Sequence, residues 1–139
     1  MKYVLFALLV ACTNSPGVEE NTSPSCVDAE SHSDLAWIQT NVFDKSCAVT
    51  GCHDAHGHSG GLNLSAGASH TSLVGVASTS GEGWSRVTAG DPSASYLMVA
   101  LGVEAGPAPM DGLMPLSSPG LCQQKLDAIT RWISAGAAE

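Results

Sequence analysis

Two cysteines and a histidine share one heptapeptide, Cys47-Ala-Val-Thr-Gly-Cys52-His53, and no other feature restricts the chain as much. Thiols separated by four residues can close on each other, can join the imidazole around a metal ion, or can both be spent on a larger group. Each outcome pins a loop that has few large side chains to hold it. Gly51 leaves the backbone free to make the turn that any of them needs.

The order of the residues favours the larger group. Covalent haem needs two thiols that reach the vinyl groups on one porphyrin edge, and an imidazole directed at the iron. A histidine directly after the second cysteine meets that need. The common spacing puts two residues between the cysteines; here there are four. A wider turn absorbs the difference.

Composition points the same way. Aromatic residues are 5% of the 139, against 15 Gly and 7 Pro, while 44% hydrophobic content argues for a folded chain. This length allows one domain. A domain so poor in large side chains builds a shallow core by itself, and small domains of this kind usually carry a disulfide, a metal or a cofactor.

The formal charge is −8, from 5 basic and 13 acidic residues. Lys45, Arg86, Lys125 and Arg131 are scattered, which excludes a nucleic-acid partner, since phosphate binding needs clustered cations. An acidic surface steers a chain toward a partner with a basic docking face.

Lys2 followed by the apolar run Tyr3–Val10 reads as a signal peptide over residues 1–11, too short to span a membrane. Leu9-Val10-Ala11-Cys12 resembles a bacterial lipobox, which implies lipidation at Cys12 and a membrane anchor on an exported chain, on the periplasmic side of the membrane or in the cell envelope. Residues 12–33 are small, polar and turn-forming and read as a flexible tether; the domain is expected over 34–139. With Cys12 lipidated and Cys47 and Cys52 engaged, Cys26 and Cys122 remain, and an oxidising compartment favours their pairing. The competing assignment pairs Cys47 with Cys52.

Within the domain a first helix is expected over Asp34–Lys45, capped by Ser33 or Asp34, with Leu35, Ile38, Val42 and Phe43 on one face. Leu62 and Leu64 pin an irregular segment, and 68–74 can form a short helix. Asp91-Pro92 opens a helix running toward Leu101, residues 102–117 form a loop, and Ser118-Pro119 opens a last helix ended by Gly136. The plan is all-α, three or four helices with long loops.

Met114-Pro115 lies in the loop before the last helix, where a second iron ligand can be supplied from the far side of a haem. In order, the helix Ile38–Phe43, Cys47…Cys52-His53, Gly60-Gly-Leu-Asn-Leu64, Gly90-Asp-Pro-Ser-Ala-Ser-Tyr-Leu97, Met114-Pro115 and Ile129-Thr-Arg-Trp-Ile-Ser-Ala-Gly-Ala137 resemble a class I, mono-haem bacterial cytochrome c domain over about residues 35–137. The resemblance implies a small cytochrome c-like helical fold around one covalent haem c, with Cys47 and Cys52 as thioether anchors and His53 and Met114 on the iron. Its function is electron transfer with a redox partner protein, not substrate turnover. The four-residue spacing departs from the family pattern and bears on Cys47. Met110 is the rival to Met114.

Two other readings stand beside it: a haem-free, disulfide-stapled binding module of the same fold, and a zinc-binding lipoprotein using the Cys pair with His53, His56 or His58. His32 and His70 are expected at the surface, Arg86 is expected to be exposed or to meet a haem propionate, and Trp37, Trp84 and Trp132 are expected in the core or against the haem. No nucleophile–base constellation or phosphate loop points to an enzyme.

Overall fold

The computed structural model describes residues 21–116 and 120–139. The expected signal peptide over 1–11, the expected lipidation at Cys12 and the expected Ser118-Pro119 start of the last helix lie outside them. The described residues hold five short α-helices, one long π-wound turn and two 3-10 turns. They form no β-strand, only isolated bridges such as Val74 with Val87 and Ser85 with Ser95. The described residues are helix-rich, compatible with a small all-α fold, with loops making up much of their length. None of the helices is long and apolar enough to cross a membrane.

Helix α1, Pro24–Ala29, stands where a tether was expected. Ser23 caps it, its Oγ accepting from the Cys26 amide at 3.3 Å, and Pro24 takes the first helical position. Residues 24–33 therefore belong to the fold. Cys26 is fully buried and bonded to Cys122, with the two Cα atoms 6.2 Å apart. Arg131 of the last helix reaches back over the same segment, donating to the carbonyls of Ala29 at 2.8 Å and His32 at 2.8 Å.

Helix α2 begins as expected. Asp34 Oδ1 accepts from the Trp37 amide at 2.8 Å, and Leu35, Ile38, Val42 and Phe43 all point inward. The α winding covers only Leu35–Ile38; Gln39–Cys47 continues as a π-helix. Thr40 Oγ1 and Asn41 Nδ2 donate to the carbonyls four residues back, Ala36 and Trp37, at 3.2 and 3.1 Å. Side chains competing for those acceptors favour the wider turn. The helix thus ends two residues beyond Lys45, on Cys47 itself.

Asp34's carboxyl lies below its ordinary value, chiefly because the Trp37 amide donates to it and secondarily because of His32. A carboxyl depressed by folding stabilises the fold above its unfolded pKa, about 3.9, and that stabilisation is lost as pH falls through the lower folded value. Asp34→Ala is expected to cost about 1 kcal/mol at pH 7. The cost should shrink below about pH 4, where the unfolded-state carboxyl takes up its proton. Urea unfolding of both proteins at pH 7 and pH 3 measures it; an equal cost at both pH values would refute the cap.

Helix α3, Ser69–Leu73, lies inside the stretch 68–74. The Asp91-Pro92 signal opens a 3-10 turn, Pro92–Ala94, and helix α4 follows only at Tyr96–Ala100. Ser95 breaks them apart. It is extended and buried, with its Oγ donating to the Asp91 carbonyl at 2.7 Å and accepting from the Thr88 amide at 2.9 Å. Helix α5, Gln123–Ser134, ends at Gly136, whose φ of +104° suits glycine. Its buried face is Lys125, Ala128, Ile129, Trp132 and Ile133. Against it lie α1 and α2, and with Phe43, Leu64, Leu73, Val87 and Met98 these make one core.

Two histidines are less peripheral than expected. His70 Nε2 donates to the Ala137 carbonyl at 2.9 Å, tying α3 to the C-terminal turn. His32 stacks on Trp37 with ring centres 4.8 Å apart, between Asp28 and Asp34. Trp37 and Trp132 are buried, each indole N–H donating to an oxygen, Asp28 Oδ2 and the Ala138 carbonyl. Trp84 is half-buried and meets Tyr96 edge-on at 6.4 Å.

Candidate functional site

A cavity of about 410 Å³ opens beside the core, within the range of small-molecule and cofactor sites, roughly 300–1,000 Å³. Cys47, Cys52, His53 and Met114 all line it, as does Met110. Sequence places Met114 sixty-one residues after His53; the fold brings both to the lining of one open cavity.

The end of the π-helix delivers Cys47, and a compact turn delivers the rest. The Cys52 amide donates to the Val49 carbonyl at 2.9 Å, the His53 amide to the Cys47 carbonyl at 3.1 Å, and Gly51 sits at φ +83°. The four-residue spacer is therefore taken up as a closed turn with Gly51 in the left-handed region. Cys47 and Cys52 are free thiols and half-buried. Burial, with the neighbouring Cys52 second, pushes the Cys47 thiol up to about 12, so it is held neutral.

His53 is fixed from three directions. Its amide is bound as above, its carbonyl accepts from the Leu64 amide at 2.7 Å, and its Nδ1 donates to the Ser59 carbonyl at 3.0 Å. Because a carbonyl only accepts, Nδ1 carries the proton, and in the neutral imidazole the lone pair is then the one on Nε2. A second nitrogen donating to a backbone carbonyl is the usual support of a metal-bound imidazole.

The two methionines differ in their footing. Met114 is half-buried, and its amide donates to the Ala100 carbonyl at the end of α4 at 2.8 Å. Met110, four residues earlier, is 81% exposed. Leu113 and Leu116 beside them are exposed as well.

Leu62, Leu64, Leu73, Leu97 and Leu101 give the cavity an apolar wall, and Arg86 and Tyr96 are among its polar lining residues. Arg86 is half-buried, not exposed: its guanidinium donates to the carbonyls of Ser72 at 2.9 Å and Gly60 at 3.0 Å, and burial lowers its pKa. Tyr96 is 6% exposed, and its hydroxyl has no hydrogen-bond partner. A Cβ on Gly81 would overlap the Tyr96 ring, so the glycine lets backbone lie flat against it. Sequence reading missed Tyr96 as a cavity residue; the run Gly90–Leu97 marks a helix start and carries no sign of what its tyrosine faces.

Among the described residues no group of three or more His, Cys, Asp and Glu side chains is placed to hold a metal ion. His56 and His58 are exposed and do not line the cavity. The chain matches no protein-family model, no curated protein and no solved structure.

Proposed function

We propose that this chain is an electron-transfer protein of the c-type cytochrome kind, carrying one covalent haem in the cavity of a small cytochrome c-like domain. The observation that carries the reading is the convergence of Cys47, Cys52, His53 and Met114 on one apolar cavity. Two thiols, an oriented imidazole and a thioether are the donor set that a covalently held haem requires.

The remaining wall suits the same group. Haem is a wide apolar plane with two carboxylates, and the cavity is lined by leucines together with Arg86 and Tyr96. The Tyr96 hydroxyl, buried without a partner, is a donor left over for an acceptor that the protein itself does not supply. The Arg86 guanidinium lies at the same cavity and still has donors beyond the two spent on Ser72 and Gly60. Cys47 and Cys52 would hold the group by thioethers, and His53 Nε2 and Met114 would supply its axial ligands. A bound haem supplies a one-electron couple at iron. The protein's part is to exclude water with the leucine wall, to fix the imidazole, and to offer its edge to a partner protein with a basic docking face.

The export reading belongs with this one: a signal peptide over 1–11, lipidation at Cys12, and the domain held at the membrane by that anchor on the periplasmic side or elsewhere in the cell envelope. An oxidising compartment fits the Cys26–Cys122 disulfide.

The test is an absorption spectrum of the protein expressed with haem-maturation machinery, oxidised and then reduced with dithionite, followed by acid–acetone extraction. Sharp reduced bands that stay with the polypeptide are expected. A colourless protein, with maturation working on a control cytochrome, would refute the reading and leave the cavity to a haem-free binding module.

A further inference from the structure

We propose that Thr40, Asn41 and Asp44 are positioning residues for Cys47: they hold the segment before it in π winding, and that winding turns the thiol toward the cavity. The use of that thiol for attachment rests on the haem reading above. Cys47 lies twelve residues after Leu35. An α-helix makes about three and a third turns over that length, so it would leave Cys47 about a third of a turn off the inward face of Leu35 and put Ser46 there instead. Each π turn takes in about one residue more than an α turn. The nine residues Gln39–Cys47 therefore make about two turns and bring Cys47 back to the face of Phe43. Phe43 is buried, and Cys47 packs against the same core and lines the cavity.

Three side-chain bonds keep that winding. Thr40 Oγ1 and Asn41 Nδ2 occupy the carbonyls of Ala36 and Trp37 at 3.2 and 3.1 Å. Those are the acceptors that α winding would give to the amides of the same two residues. Gln39 Nε2 donates to Asp44 Oδ1 at 2.6 Å and to the Leu64 carbonyl at 2.8 Å. Side chains five residues apart diverge on an α-helix, where neighbours stand three or four apart; the wider π turn brings them together. At the end of the segment the Ala48 amide donates to the Phe43 carbonyl, also five residues back, at 2.7 Å.

Replacing all three residues, Thr40→Ala/Asn41→Ala/Asp44→Ala, removes the competing bonds and supplies the strongest helix former. None of the three side chains belongs to the apolar core. The first readout needs no haem. It is alkylation of the Cys47 thiol by iodoacetamide in the full chain, in a Cys52→Ser background so that the two thiols cannot pair, with each cysteine followed by peptide mass mapping. Alkylation is expected to be at least about tenfold faster in the triple variant, because a thiol turned toward water ionises more readily. Thr40→Ser/Asp44→Asn keeps a donor and an acceptor in place and should stay within about twofold of the wild type. The second readout is the reduced spectrum of the haem-loaded chain with Cys52 present. Attachment adds a thiol S–H across a vinyl double bond, sulfur to one carbon and hydrogen to the other. With Cys47 turned away one vinyl stays conjugated to the ring, and the sharp reduced band is expected to move to the red in the triple variant and not in Thr40→Ser/Asp44→Asn.

Unchanged alkylation in a triple variant that folds by circular dichroism overturns the positioning role, with or without haem. Should the triple variant fail to fold, Thr40→Ala and Asp44→Ala singly carry the alkylation test, and wild-type rates in both overturn the role. A chain that takes up no haem refutes the haem reading and leaves alkylation to decide the positioning role. A chain that loads haem, with alkylation rate and reduced band both at wild-type values in the triple variant, overturns the positioning role and leaves the haem reading standing.

Discussion

Replacing Cys26 and Cys122 together by alanine is expected to lower the unfolding free energy by about 4 kcal/mol. The bond closes a loop of 96 residues, and constraining a loop near that size in the unfolded chain is worth roughly 4–5 kcal/mol in the chain-entropy account. Both side chains are fully buried, so the substitution also thins the packing between α1 and α5. Small domains are stable by only about 5–15 kcal/mol, and the double variant should lose a large part of that margin. Guanidinium unfolding of the two oxidised proteins measures it. A change below about 1 kcal/mol would mean that α1 docks on α5 by packing and the Arg131 bonds alone.

The second large effect concerns the far side of the proposed haem. Met114→Ala is expected to lower the reduction potential by a few hundred millivolts, within the roughly 0.8 V range that axial ligands span, because a His–Met pair holds the potential high. It should also let cyanide bind the ferric iron readily. Met110→Ala should change the potential little. The distinction comes from footing: the Met114 amide is hydrogen-bonded to the end of α4, whereas Met110 is largely in solvent. Redox titration and cyanide binding of both variants decide between them. The reverse ranking would make Met110 the ligand and require the 109–116 loop to move inward.

Much of this architecture could be read from local chemistry. Asp34 caps its helix and Leu35, Ile38, Val42 and Phe43 face inward because a helical period of apolar residues needs no tertiary information to be recognised. Gly136 ends α5 for an equally local reason. The misreadings arose where a distant partner decides. Ser23-Pro24 is a helix start, but a small polar neighbourhood hid it, and α1 is tied to the fold by the bond of Cys26 to a residue 96 positions away. The Asp91 helix is broken at Ser95 by bonds to Asp91 and Thr88 that a propensity argument does not weigh. Side-chain chemistry and order could single out Cys47, Cys52, His53 and Met114 as candidates, while their meeting in one cavity is a property of the fold. Tyr96 and the Ser59 carbonyl could not be singled out that way, because one matters for where its ring is buried and the other is a backbone atom.

The position of the disulfide also decides how the molecule bears mechanical load. Tension applied between residue 21 and residue 139 travels from Cys26 through sulfur into Cys122 and along α5. The 95 residues between the bridged positions, which include every residue lining the cavity, hang outside that line of force. Stretching the ends can pay out only the short segments beyond the bridge, at about 3.3–3.6 Å per residue. A domain tugged by its N-terminal end would therefore yield first at its two ends, while the walls around Cys47, His53 and Met114 carry none of the strain.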